Sequence, residues 1–256
     1  MVLILSQGDA DARWWETRTS IPIDPLASMA RLPRLALGGH AHHVLQRGHS
    51  RQAIFIDDAD RQAYLEALRE AAANLRVAVH GYVLMDDHVH LLITPPDAGA
   101  VGRLMQAIGR RYVAGFNRRH GRSGSLWEGR FRATVIEPVP HLLGCLRYLE
   151  QNPVRTGLAA SAADWPWSSA AHHLGRRRDG LISEPSPWWD LGNTPFDREH
   201  AWRRLLDEPM PVRDVQQYTD SVLKGWALGS GAFLAEIGAH TDRPLQARPR
   251  GRPSRA

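Results

Sequence analysis

Gly81-Tyr-Val-Leu-Met-Asp-Asp-His-Val-His-Leu-Leu-Ile-Thr94 decides how the rest of this 256-residue chain is read. Asp86-Asp87 stands between two runs rich in Val, Ile, Leu and Tyr, so the segment reads as a tight hairpin joining strands at Arg76–Met85 and His88–Thr94. Side chains alternate along a strand, which puts His88 and His90 on one face and Val89, Leu91 and Ile93 on the other. Two neighbouring imidazoles suit a divalent metal, since each neutral ring offers one lone pair and the pleat fixes their separation. Taken alone, the same pattern also fits two half-exposed polar residues on an antiparallel sheet, the commoner origin of so short a motif.

Working outward, His42–Arg47 reads as an earlier strand, followed by a turn at Gly48-His49-Ser50. Asp57-Asp58-Ala-Asp60 caps a helix running to Asn74, with Tyr64, Leu65 and Leu68 on one side. After Pro95-Pro96 a helix spans Gly99–His120, its apolar stripe formed by Val101, Leu104, Met105, Ile108, Tyr112 and Phe116. Phe131–Glu137 is a fourth strand and His141–Gln151 a helix stopped at Asn152-Pro153. Strand, helix, two strands, helix, strand is the order of a ferredoxin-like α+β sandwich: an antiparallel sheet with helices on one face, here followed by a C-terminal helical and irregular appendage. In that appendage Asp197–Leu206 and Val212–Gly225 read as short helices, amid Trp165-Pro-Trp167 and Trp188-Trp189.

The organisation expected is an extension at 1–28 without order, a main domain at 29–160, a helical and irregular region at 161–240 and a basic tail at 241–256. Met29 is an alternative start, because the stretch after it reads far more like the opening of a domain. Met1–Leu5 is apolar but lacks the length and basic leader of a signal peptide. One cysteine, Cys145, excludes an intramolecular disulfide, and no apolar run of 18 residues is present to span a bilayer. The expectation is a cytoplasmic, nucleoid-associated protein with no membrane partner.

The formal net charge is +5, and of 32 basic residues only Lys224 is lysine. Guanidinium grips phosphate with a planar fork, although a biased genome composition also yields many arginines. The charge concentrates between Arg103 and Arg132, where eight arginines meet the single acid Glu128, interleaved with Tyr112, Phe116, Trp127 and Phe131. Cations for phosphates and flat rings for unstacked bases are what a single strand or hairpin requires. Tyr112 lies in the apolar stripe, where a space-filling core role is the ordinary one. A tyrosine that faced the two histidines would instead be able to attack a metal-bound phosphate and form a phosphotyrosine.

Four segments together carry a family resemblance: Tyr82–Ile93, Arg111–Arg119, Gly124–Phe131 and Tyr148-Leu-Glu-Gln-Asn-Pro-Val-Arg-Thr-Gly-Leu158. They resemble the single-tyrosine HUH transposases, insertion-sequence 200-like, and within these the REP-associated tyrosine transposases; the likeness runs from Met29 to the Arg-Gly-Arg-Pro tail. The resemblance implies that His88 and His90 hold Mg²⁺ or Mn²⁺ on the scissile phosphate of single-stranded DNA. It also implies that Tyr112 attacks, leaving a 5′-phosphotyrosine and a free 3′-hydroxyl that later rejoin without ATP. Members of this family often carry a Gln or Asn metal ligand one helical turn after the tyrosine. Phe116 stands there, with Asn117 beside it as either the third ligand or a solvent-facing residue. Arg110, Arg111, Arg118, Arg119, Arg130 and Arg132 are the expected DNA contacts, and Trp127 is either a DNA contact or a core anchor. Arg250 and Arg252 lie in a tail that resembles an AT-hook.

The function expected is metal-dependent nicking and strand transfer on single-stranded DNA hairpins of the REP type, in DNA transposition. The alternatives are a catalytically silent, domesticated DNA-binding protein and, more remotely, a histidine-based metal hydrolase. The sequence leaves monomer and homodimer open, as it does the target sequence.

Overall fold

The computed structural model describes residues 33–246. The expectations for residues 1–28 and for Arg250 and Arg252 lie outside the described residues. Four strands, β1 (Ala41–Arg47), β2 (Ala78–Leu84), β3 (His88–Thr94) and β4 (Arg132–Ile136), pair antiparallel throughout in the order β2-β3-β1-β4. Helices α1 (Asp58–Leu75) and α2 (Ala100–Arg119) complete the ferredoxin-like order. Six more follow: α3 (Leu143–Glu150), α4 (Asn152–Arg155), α5 (Ala170–His173), α6 (Pro195–Asp207), α7 (Val212–Lys224) and α8 (Gly231–Gly238).

Local chemistry explains where these elements stop. Asp57 caps α1 by accepting from the backbone N–H of Asp60 at 3.1 Å. Arg76 closes α1 in the left-handed conformation, φ 52°, with its N–H turned back to the helix carbonyls. That is why β2 begins at Ala78 rather than at Arg76 as expected. In the 85–88 hairpin, Met85 N–H donates to the His88 carbonyl at 2.9 Å across Asp86-Asp87. Pro195 occupies the first turn of α6 and Thr194 forms a capping box with Asp197, so that helix starts two residues ahead of the expected Asp197.

Both faces of the sheet are covered. On one, Val44, Leu84, Val89, Leu91 and Ile93 pack against Tyr64 and Leu68 of α1 and Leu104, Ile108, Tyr112 and Phe116 of α2. On the other, Val83, Leu92 and Ile136 pack against Leu142, Leu146 and Leu149, with Trp202 of α6 and Tyr218 of α7 behind them. Helices on one face, α1 and α2, are therefore half of the arrangement, and the C-terminal helical region supplies the other half. Each fully buried leucine on β3 contributes about 2 kcal/mol, so neither Leu91 nor Leu92 tolerates an open face. Gly81 permits the second packing layer, since a Cβ there would collide with the Leu146 side chain.

Candidate active site

His88 and His90 share a face as the alternation requires, and it is the face covered by α3. Their cross-strand partners are Arg47 and Leu45 on β1 and, for His90, Val83 on β2. The two rings lie edge to face with centroids 5.0 Å apart. His88 Nδ1–H donates to Asp87 Oδ1 at 2.5 Å. Burial pushes the Asp87 carboxyl up, but the His88 hydrogen bond together with the charges of His88 and Arg47 outweighs it and holds the group below its usual range. A carboxylate on Nδ1 fixes the His88 tautomer and leaves the Nε2 lone pair as its ligating position. That lone pair accepts a 3.3 Å hydrogen bond from the carboxamide of Asn152.

His90, 3% exposed, shares a 2.7 Å hydrogen bond through Nδ1 with Nε2 of His43 on β1. Burial drives His43 down to about 3 and His90 well below its ordinary value, so both rings are neutral near pH 7. Neutral imidazoles with Nδ1 occupied are the form in which histidine ligates a metal through Nε2. Among the described residues no group of three or more His, Cys, Asp or Glu side chains is arranged to hold a metal ion. The donor set here is two imidazoles and a carboxamide. Such an open set of nitrogen and oxygen donors would suit Mn²⁺ or Mg²⁺ better than a closed zinc site.

The side chains facing these histidines come from the helical segment after β4. The Tyr148 ring lies 5.7 Å from those of both His43 and His90. Its hydroxyl meets Thr219 Oγ1 of α7 at 3.1 Å. Thr219 gives its own proton to the Val215 carbonyl at 2.7 Å, so the phenol is the donor in the Tyr148 pair. Tyr148 is 6% exposed, and burial raises its phenol while the neighbouring Arg155 opposes that rise. Tyr148, Asn152 and Arg155 stand at i, i+4 and i+7, one stripe running through α3 and α4.

Tyr112 is elsewhere. Its helix packs on the face of Val89, Leu91 and Ile93, so the sheet itself separates it from His88 and His90. It is 3% exposed, enclosed by Phe55, Tyr64, Phe116 and Trp127, and its hydroxyl donates to the Ile54 carbonyl. Burial raises its phenol strongly. Tyr112 is a core tyrosine, and the expectation that it attacks a phosphate at the histidines is corrected. Asn117 is corrected with it: on the same helix, its carboxamide nitrogen donates to the Gly124 carbonyl at 2.9 Å and closes the loop after α2. Asn152, not Asn117, stands beside His88.

The expected DNA contacts divide between the faces. Arg110 and Arg111 line a shallow groove between α1 and α2, where Arg111 pairs with Glu70. Arg118 is exposed near the end of α2, while Arg119 is taken up by Asp57 and Asp60 at the start of α1. Trp127 is partly buried against Tyr112 and serves as a core anchor. Its loop is stitched to the end of β1, with Glu128 N–H donating to the Arg47 carbonyl at 3.0 Å and His49 N–H to Leu126 at 2.9 Å. Arg130 is exposed on that loop. Arg132 shares a face with Leu45 and His90 and donates to the Leu223 carbonyl of α7 at 2.5 Å.

Sequence reasoning missed Tyr148, Asn152, His43, Arg155 and Thr219. A signal for the first two was present, because a tyrosine followed by an asparagine four residues on is the one-turn spacing that the Tyr112 assignment lacked.

Residues 37–152 match the family model described as Transposase IS200 like. No curated protein matches the chain. Among solved structures, a REP-associated tyrosine transposase bound to a REP hairpin is similar, with a TM-score of 0.48 and 16% identity, over 62% of this chain and 93% of that one. A putative transposase from Deinococcus radiodurans R1 has a TM-score of 0.33 and 21% identity, over 43% of this chain and 84% of that one. The sheet, both histidines, Tyr148 and Asn152 all fall within residues 37–152, the part of the chain that is similar to the IS200-like transposases.

Proposed function

We propose that this protein nicks single-stranded DNA at REP-type hairpins and transfers the strand through a 5′-phosphotyrosine, with Tyr148 as the nucleophile. One observation carries the reading: a tyrosine, two histidines with occupied Nδ1 atoms and a carboxamide one helical turn from that tyrosine meet on one face of the sheet. Tyr148 Oη forms a bond to phosphorus as the bond from phosphorus to the 3′ oxygen breaks. The phenolic proton passes to solvent and the departing 3′ oxygen takes one up, so the diester's energy is stored in the new link. Reversal onto another 3′-hydroxyl rejoins DNA.

His88 through Nε2, His90, and Asn152 through its carboxamide oxygen are the residues to hold Mg²⁺ or Mn²⁺. The Asn152 amide now presents its nitrogen to His88, and a half-turn exchanges that nitrogen for the oxygen. When bound, the ion would supply charge neutralisation on the scissile phosphate. Asp87 and His43 fix the ring orientations, and burial keeps His90 neutral. Arg130 and Arg132, beside the histidine end of the sheet, are the phosphate contacts nearest the chemistry. Arg110 and Arg118 are on α2, across the sheet from the histidines, where they would hold DNA at a distance from the chemistry. Arg250 and Arg252 are proposed as minor-groove contacts of the tail. Among the described residues no helix is long and apolar enough to cross a membrane.

Incubating a labelled hairpin oligonucleotide with protein and Mn²⁺ tests the proposal. A covalent adduct that disappears in Tyr148→Phe and persists in Tyr112→Phe is the expected result. Binding without any adduct would point to the silent DNA-binding reading, and cleavage without trapped protein to a hydrolase.

A further inference from the structure

Arg155 carries an anomaly that the reading above does not use. Its Nη2 donates to the Tyr148 carbonyl at 2.6 Å, and the guanidinium carbon lies 4.5 Å from the centre of the Tyr148 ring, over its face. One edge of the fork is thereby committed to the backbone and its plane is held against the phenol. Nη1 is enclosed and has no hydrogen-bond partner. Enclosed polar groups in folded proteins are almost always paired, and an unpaired charged donor calls for an explanation. The charge is also felt at His90, so the guanidinium lies within electrostatic reach of the buried histidine as well as of the tyrosine. Arg155 lies three residues beyond the family match, which ends at Asn152.

We propose that Arg155 recognises the scissile phosphate, giving its Nη1 N–H to a non-bridging oxygen while Tyr148 holds the other edge of the fork. An oxyanion is the ligand that fits, because guanidinium matches phosphate geometry and a second fixed bond pre-orients the donor. Tyr148, Asn152 and Arg155 then divide one helical stripe into nucleophile, ligand and phosphate clamp. The inference rests on Tyr148 being the nucleophile, and its test separates the two.

The phosphate cleaved is first mapped from the wild-type covalent adduct on a hairpin oligonucleotide. The same oligonucleotide is then made with a single neutral methylphosphonate at that position, and both are titrated against protein in EDTA. Wild type is expected to bind the phosphodiester about tenfold more tightly than the methylphosphonate. Arg155→Gln should bind both alike, and Arg155→Lys should keep part of the preference. The readout is a ratio within one preparation, so a partly unfolded variant does not mimic the effect. Thermal melting is followed beside it, since a purely structural clamp on the Tyr148 carbonyl predicts a lower melting temperature with the ratio unchanged. That outcome overturns the proposal for Arg155 alone. Absence of any wild-type adduct overturns the Tyr148 reading and this inference with it.

Discussion

Tyr112 and Tyr148 are both nearly sealed, both stand on helices packed against the same sheet, and both phenols are raised by burial. They differ in company. Tyr112 is ringed by aromatic carbon and spends its proton on a backbone carbonyl. Tyr148 is ringed by two histidines, an arginine, a threonine hydroxyl and the Tyr218 ring. Burial alone does not separate a structural tyrosine from a chemical one. What separates them is that the Tyr148 ring meets the two stacked histidines and an arginine, whereas the Tyr112 ring meets other aromatic side chains.

The sharpest way to break this comparison is to remove each hydroxyl. Tyr148→Phe should lower covalent adduct formation by about a thousandfold or more, read on denaturing gels, whereas Tyr112→Phe should change it by no more than a few-fold. Equal losses would erase the distinction. Truncation then probes the core. Tyr112→Ala empties a packed aromatic cluster and should cost about 3–5 kcal/mol in urea unfolding. Tyr148→Phe keeps the ring and forfeits one hydrogen bond, for about 1 kcal/mol.

Neighbours on β1 repeat the contrast. His42 pairs across the sheet with Ile93, on the α1 and α2 side, and both its nitrogens are satisfied: Leu37 N–H donates to Nε2 at 3.2 Å, and Nδ1–H donates to the His40 carbonyl at 2.7 Å. His43 faces the other way and leaves Nδ1 without a partner. Burial lowers them to about 4 and about 3. Unfolded histidines take up a proton near pH 6.5, so below that value the unfolded chain binds more protons and the native state loses ground. Stability is expected to be level above pH 6.5 and to fall as pH drops toward 4, by on the order of 3 kcal/mol for His42 alone. Urea titrations at successive pH values measure the slope, and His42→Gln should flatten it. The smallest effect concerns the metal. Asn152→Ala is expected to weaken Mn²⁺ binding about tenfold in calorimetry while Asn117→Ala leaves it unchanged; the reverse order would return the third ligand to α2.

The frame was legible because it rests on short-range signals. Alternation marked β3, the Asp57 cap and the Tyr64-Leu68 spacing marked α1, and the stripe from Val101 to Phe116 marked α2. The site was legible only as far as those signals reach. Period two tells that His88 and His90 share a face and is silent on which helix covers it. The expectation gave that face to α2, the next helix in sequence. Leu92 beside the histidines and Leu91 opposite them are both fully buried, so β3 has no solvent side. Deciding which layer meets the imidazoles depends on contacts across the sheet, such as His43 with His90 and Gly81 with Leu146, that leave no local period.

The Tyr148 hydroxyl rests on Thr219, a residue of α7 well beyond the last position shared with the IS200-like family. A gene trimmed to that shared boundary would encode Tyr148 without the partner of its hydroxyl and without Arg155. In this molecule the surroundings of Tyr148 are completed by residues beyond the matched segment, and a shortened chain made to test the proposed nicking should run to Gly225 rather than to Asn152.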